Sequence, residues 1–526
     1  MRNRALAIIF IAGMVIWFIF VLLILHVMPV GHGFEDYFLM PGGAISLRAD
    51  PHSWCMFLFP TQLMQLAQKI SSPGDDYLVV HALAFSLISV MAWRPLSLRY
   101  GKHAVLFLLL ATPMSLLPTL DTNAYGKLLS FSYNCSYNRF LDLVTYYSFL
   151  ISVRIQAGRG FKSDALWFAF ALGCATLTKP TYLPELGLLM IFSQAEQRNL
   201  RFWGFCSLTF LAWIVPELWL EPGYPLSILS AAESRHQALH HALVHSLQQG
   251  IVFLIVLVII LRQAREYSLS TYKAMVIPFI YLTCEPFIVE GNTGDMANLR
   301  FTGAGLALIF LFRETPLFNT IKKTQFRFFT EGYGFKLLLG GIALYPLRFL
   351  LYTSFRLLFL VLSMNLVHTS SAELIQFKHF PGFGIPAKFL DSDFLSLEHD
   401  LPARTILMKN SNGKTEITLN YMMLHDLDIL IDRHPSLLQT HVLIPSFASS
   451  ILVYAHPQTR PATMLSSYSP EVPKSLAVLS IEQSQLQAQY ILLNYCESIP
   501  FHSWSQSWVT KDQEGCWGLL GRNSEQ

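Results

Sequence analysis

Charge is what this sequence lacks most: only 13% of its 526 residues are charged, about half the roughly 25% of an ordinary soluble domain. So few charges cannot cover a water-facing surface of this size, which excludes one large soluble globule. Long runs of one sign are also missing. With a formal net charge of +3, no basic face is available for a nucleic-acid backbone, so nucleic acid is excluded as a partner. No repeat recurs at a period of about 20–50 residues, which excludes a solenoid. The C-terminal part has no nucleophile elbow, no P-loop and no zinc-ligand spacing, which argues against an independent enzyme there.

Apolar residues, by contrast, make up 53% of the chain and gather into blocks approaching the roughly 20 residues that a helix needs to cross hydrocarbon. The first block, Ala5 to Met28, follows the basic start Met1-Arg2-Asn3-Arg4. It exceeds the roughly 7–15 residues of a signal-peptide core and ends at His26-Val27-Met28-Pro29, without small cleavage-site residues, so a retained span is expected. Further blocks run at 77–93, 104–120, 141–157, 164–178, 181–195, 203–220, 250–262, 274–290, 301–312 and within 336–367. The reading is mainly α: a polytopic membrane domain over 1–368 with about 11 transmembrane helices and an outer loop at 29–76.

Basic residues set its direction. With the N-terminus in the cytoplasm, the cytoplasmic connections hold Arg94, Arg99 and Lys102, then Arg154, Arg159 and Lys162, then Arg198 and Arg201, with further clusters at Arg262 to Lys273 and Arg313 to Arg327. The longer opposite connections hold only Arg48, Lys69, Lys127, Arg139, Lys179, Arg235 and Arg300. This is the positive-inside bias at every alternate loop. The segment 336–367 accommodates one span after an interfacial helix, or two; one is favoured, and it puts the C-terminus outside.

From about Thr369 the composition becomes that of a soluble domain, with turn clusters such as Lys409 to Lys414 and apolar runs such as Val442-Leu443-Ile444. A small α/β or α+β domain is expected over 369–526, with Ile491-Leu492-Leu493 and Trp517-Gly518-Leu519-Leu520 as a closing pair of strands. Cys496 and Cys516 both lie there, either as a disulfide or as two buried thiols.

Ionisable residues clustered on one face of a membrane protein are costly and therefore candidate sites. Glu35-Asp36-Tyr37 lies just past the first span; one carboxylate suits a general base, and the alternative is two solvated loop acids. Tyr133 to Asp142 offers Arg139, whose fork of donors suits a phosphate, with Asn138 and Tyr137 as hydroxyl partners. The alternative there is an Arg139–Asp142 surface pair at a helix head. Thr178-Lys179-Pro180-Thr181 presents a lysine before a helix-starting proline. Glu290 to Arg300 carries Asp295, Asn298 and Arg300 in a loop that Gly291 and Gly294 let turn tightly. His236/His240 and His241/His245 have an i, i+4 spacing compatible with a metal, but no acid or cysteine completes a site, and an interfacial amphipathic helix accounts for them.

Taken together, the arrangement resembles the GT-C superfamily of polytopic membrane glycosyltransferases. The likeness rests on the acidic pair with its aromatic neighbour, Glu35-Asp36-Tyr37, in the first outer loop; on the stretch to Asp76 with the amphipathic Phe57 to Ile70, similar to interfacial helices; and on Leu177-Thr178-Lys179-Pro180-Thr181, similar to a lysine-bearing loop between short spans. The resemblance implies transfer of a sugar from a polyprenyl-phosphate donor to a glycan, lipid or protein acceptor, with inversion, on the periplasmic face of a bacterial inner membrane. It assigns Glu35 and Asp36 to catalysis, Arg139, Lys179 and Arg300 to the donor phosphate, and Tyr37, Asn138, Asp295 and Asn298 to the substrates. No second acidic pair imitates the metal motif of oligosaccharyltransferases, so no metal ligand is assigned, and no cofactor is identified. The rival readings are a transporter or flippase of a lipid-linked substrate, marked by internal repeats and by charges within spans, and a non-catalytic scaffold.

Overall fold

The computed structural model describes residues 57–71, 76–101, 103–105, 107–108, 120–122, 128–132, 136–153, 161–194, 200–225, 374–380, 384–386, 419–440, 442–443, 488–494, 508–515 and 517–522, with single positions at 8, 12, 30, 31, 44, 228, 277, 280, 281 and 284. Most are helical, and a small sheet lies near the C-terminus. All of the first apolar block but Ile8 and Ala12, the blocks at 250–262, 301–312 and 336–367, the four histidines at 236–245, Lys409 to Lys414, Cys496 and Cys516 lie outside the described residues.

Among the described residues six helices stand out in the N-terminal part: α1 (Leu58–Ala67), α2 (Asp76–Tyr100), α3 (Ser136–Val153), α4 (Phe161–Thr178), α5 (Leu183–Gln194) and α6 (Leu200–Leu220). Among the described residues two stretches are long and apolar enough to cross a membrane, Val79–Tyr100 and Leu200–Leu220.

Side-chain contacts fix the relative directions of these helices. Along α2 and α3, His81 meets Phe140, the Ser89 and Tyr147 hydroxyls lie 3.2 Å apart, and Tyr100 donates to the Leu150 carbonyl at 2.7 Å, so the two helices run parallel. Arg99 at the end of α2 meets Asp164 at the start of α4, so α4 runs the other way. Tyr182 and Leu189 of the α5 segment meet Asp142 and Ser152, which makes α5 parallel to α3. Phe202 of α6 lies against Phe168 and Trp213 stacks on Phe170, which makes α6 parallel to α4. Residues 76–81, 136–142, 178–183 and 217–224 therefore share one end of the bundle, and residues 94–101, 150–153, 161–164, 194 and 200–202 share the other. At that second end Arg94, Lys162 and Arg201 are exposed.

Burial divides the helices by role. From Tyr137 to Val153 α3 is buried at every position, so it is enclosed on all sides. The outer surface of α6 instead exposes Leu200, Phe205, Leu208, Leu211, Val215 and Trp219. A 3.6-residue period places these on one face, as expected of a helix whose environment on that side is apolar. Gly173 of α4 lies directly under the Trp213 indole, where any side chain would collide with the ring.

One correction concerns Arg99. The sequence reading puts it in a connection, but it occupies the last turn of α2 and is buried, with Nη1 donating to Asp164 Oδ1 at 2.7 Å and Nη2 to Oδ2 at 2.6 Å. Its stem and fork fold inward because a paired carboxylate is available on the neighbouring helix.

Near the C-terminus a four-stranded sheet has the order β6-β7-β9-β8, with β6 (Val442–Leu443), β7 (Tyr490–Asn494), β8 (Trp508–Glu514) and β9 (Trp517–Arg522). The expected closing pair is present: Ile491 pairs with Leu520 and Leu493 with Gly518, antiparallel. The β8–β9 hairpin turns at Gly515, whose φ of 49° is in the left-handed region that favours glycine. Helix α7 (Leu419–Arg433) packs on β8 and β9, and an antiparallel pair, β4 (Leu374–Gln376) with β5 (Gly384–Pro386), precedes it.

Carboxylates stitch α7 to its neighbours. The backbone N–H groups of Lys378 and His379 donate to the two Asp428 oxygens at 2.9 and 2.7 Å, and Lys378 Nζ and His379 Nε2 lie 2.6 and 2.8 Å from Asp432 Oδ1. On the other side His434 Nε2 lies 2.9 Å from Asp512. Hydrogen bonds from Lys378 and His379 hold Asp432 below the usual carboxylate range, and the bond from His434 does the same for Asp512. Both carboxyls are thus more acidic folded than unfolded, so the stability they contribute is present above about pH 4 and is lost as pH falls through their lower folded values. The full chain in detergent should lose thermal stability between pH 6 and pH 3, and the double variant Asp432→Asn/Asp512→Asn should show a smaller drop over that range. An equal drop in both proteins would show that these carboxylates are not responsible.

Candidate functional site

The charged cluster of the first bundle end is assembled from two stretches far apart in sequence, 137–142 and 178–182. The first two turns of α3 supply Tyr137, Asn138, Arg139 and Asp142, all buried. At the end of α4 the chain leaves the helix at Lys179 in an extended conformation, with φ −149° and ψ 97°. Pro180 then starts a single 3₁₀ turn over Pro180–Tyr182, because its fixed φ suits a helix start and it lacks the N–H that such a start leaves unsatisfied. This turn directs two side chains at α3. Lys179 Nζ donates to Asn138 Oδ1 at 3.2 Å, and the Tyr182 hydroxyl donates to Asp142 Oδ1 at 3.0 Å and lies 3.4 Å from the Asn138 carbonyl.

Aromatic rings close the cluster. The Lys179 ammonium sits 5.9 Å from the Tyr137 ring centre, within the range of cation–π attraction. Phe57, just before α1, stacks on that same ring at 3.7 Å. His81 lies beside Arg139, with its ring against Phe140. The outcome is an ammonium and a guanidinium both at least nine-tenths buried, Lys179 at 8% and Arg139 at 4% exposure. Cations held this far from water are costly unless anions or oriented dipoles compensate them. The expected alternative of an Arg139–Asp142 surface pair is overturned, since neither residue is at the surface. Beside Lys179, the buried Thr178 hydroxyl has no hydrogen-bond partner among the described residues.

The same end is bordered by α6. Gln62 of α1 donates to the Glu217 carboxylate, and the Tyr224 hydroxyl donates to the Thr176 carbonyl, which ties the far end of α6 to the last turn of α4. Glu221, just past α6, has its carboxyl pushed up to about 7 by burial and by the neighbouring Glu217 charge.

A three-stranded sheet precedes α3 in the chain. Its strand order is β1-β3-β2, where β1 is Val30–Gly31, β2 Leu120–Thr122 and β3 Leu128–Ser132. Strand β1 pairs in parallel with β3, Val30 opposite Phe131 and Gly31 opposite Ser132. Gly31 precedes Glu35 by four residues, and Ser132 precedes Ser136 of α3 by four.

Of the residues singled out in the sequence, Asn138 and Lys179 are therefore in contact, and Arg139 is buried next to Asn138 in the chain. Glu35, Asp36, Tyr37, Asp295, Asn298 and Arg300 lie outside the described residues. Sequence reasoning missed Tyr182 and gave Asp142 no role beyond a possible partner of Arg139; the only signal for either was its position one turn from a residue already named. Among the described residues no group of three His, Cys, Asp or Glu side chains is placed to hold a metal ion. In comparisons with known proteins, no protein-family model and no curated protein matches the chain.

Proposed function

We propose that this chain is a polytopic membrane glycosyltransferase of GT-C-like architecture, with about 11 transmembrane helices, that moves a sugar from a polyprenyl-phosphate donor to a glycan, lipid or protein acceptor. The observation that carries the reading is the burial of Lys179 against Asn138, next in the chain to the equally buried Arg139, at one end of the helical bundle. A buried ammonium and guanidinium at the rim of a helical bundle suit an anion that arrives from the lipid side, and a phosphate is the anion that both groups recognise best.

In the proposed reaction Asp36 or Glu35 takes the proton of the acceptor hydroxyl. The acceptor oxygen forms its bond to the anomeric carbon from the face opposite the phosphate, and the carbon–oxygen bond to the phosphate breaks with its electron pair leaving on the phosphate. The configuration inverts. Lys179, Arg139 and Arg300 hold the departing phosphate as its charge grows, and Tyr37, Asn138, Asp295 and Asn298 bind the sugar and acceptor hydroxyls. On this reading the N-terminus is cytoplasmic, and the bundle end that bears Lys179 and the C-terminal domain face the periplasm of a bacterial inner membrane.

A transporter is the second reading, because a polar stripe runs the length of α3: Asn138, Asp142, Thr145, Ser148 and Ser152. Three of its hydroxyls are engaged within the bundle. Thr145 donates to the Leu141 and Asp142 carbonyls, Ser152 to those of Ser148 and Leu189, and Ser148 accepts from Trp167 Nε1 at 3.0 Å. Ser148 and Ser152 thus join α3 to its neighbours and Thr145 bonds within α3, so none of the three is left to line a water path, and the transferase reading is preferred. Glu35→Gln and Asp36→Asn, made separately, should leave expression intact while at least one abolishes transfer, read by mass spectrometry of envelope glycans in cells that carry only the variant. Full transfer by both would remove the catalytic assignment.

A further inference from the structure

The turn that carries Lys179 is fixed to α3 at two points, and the second of them has no part in the proposal above. Tyr182 is fully buried, and its hydroxyl reaches two groups on one turn of α3, the Asp142 carboxylate at 3.0 Å and the Asn138 carbonyl at 3.4 Å. Lys179 reaches the side chain of the same Asn138 at 3.2 Å. Between the two contacts lies the turn Pro180–Tyr182, in which the Tyr182 N–H donates to the Lys179 carbonyl at 3.2 Å, so a shift of one contact is transmitted to the other. A charge-assisted bond from a phenol to a buried carboxylate is among the stronger and more directional tethers available to a side chain.

We infer that Tyr182 is a positioning residue for anion binding: through Asp142 it holds the 179–182 turn against α3, and so sets where the Lys179 ammonium meets a phosphate. The inference rests on the reading of this cluster as a phosphate site. Tyr182 touches no substrate in it. Its effect is on placement, and a displacement of about 1 Å at a binding group is enough to lose a large share of its contribution.

The test is binding of a short-chain isoprenyl phosphate to the purified full chain in detergent, beside the uncharged isoprenyl alcohol of equal chain length, by titration calorimetry. Tyr182→Phe keeps the ring and removes only the hydroxyl. It should weaken the phosphate at least tenfold and leave the alcohol within twofold, and in an Asp142→Asn background the same change should have almost no further effect. Parallel weakening of both compounds would mean that Tyr182 only supports packing, and would overturn the inference. So would full phosphate affinity in Tyr182→Phe when Lys179→Met has lost it, an outcome that leaves the phosphate site itself intact. If the phosphate binds no better than the alcohol to the unaltered chain, and Lys179→Met changes nothing, the site reading fails and the inference falls with it.

Discussion

Arg99→Ala and Asp164→Ala, made singly, should each destabilise the chain by about 3–5 kcal/mol, because each leaves the other charge buried without its partner. The pair is bidentate, with side-chain exposures of 2% for Arg99 and 9% for Asp164, so water offers little relief. A typical domain has about 5–15 kcal/mol in total, so the loss should appear as a collapse of monodisperse protein on size exclusion and a much lower melting temperature. The double variant Arg99→Leu/Asp164→Leu removes both charges and keeps apolar volume, and should recover most of the loss. If each single variant melts like the parent protein, the pair is not the tie between α2 and α4 that its geometry describes.

Lys179→Met should lower transfer by about 10²–10³, the usual consequence of removing one group that stabilises developing charge at a reacting centre. Methionine preserves the length and the apolar stem, so the packing against Tyr137 is largely kept while the ammonium is lost. Lys179→Arg should recover only part of the activity, because a planar fork does not reproduce the single contact to Asn138. Glycan mass spectrometry after complementation checks both variants. Unimpaired transfer by Lys179→Met would separate the buried cluster from the reaction and leave it a structural one.

Local signals were legible in the sequence. The amphipathic stretch Phe57 to Ile70 contains helix α1, the proline after Lys179 starts a helical turn, and Ile491 to Leu493 pairs with Trp517 to Leu520. Each rests on periodicity or on one residue with a strong conformational preference. Asn138, Arg139 and Lys179 were equally visible as polar residues at block ends, but only separately. The contact of Lys179 with Asn138 depends on α3 and α4 running antiparallel with a particular stagger, which no local pattern encodes. Asp142 and Tyr182 were harder still. They lie forty positions apart, and a tyrosine after Pro180 looks like any interfacial aromatic. Arg99 illustrates the opposite error: its place between two apolar blocks suggested a connection, whereas the helix continues through it because Asp164 waits on the neighbouring helix.

The complete enclosure of α3 bears on how this protein can change over evolutionary time. A helix with one outer face can drift there while its inner face is held, as α6 can along Leu208 to Trp219. α3 has no such face, since from Tyr137 to Val153 every position meets another part of the protein. A substitution there needs a compensating one in a neighbour, so lineages should diverge slowly along α3 and quickly along α6, and the Lys179–Asn138 contact sits on the described helix with the least freedom to wander.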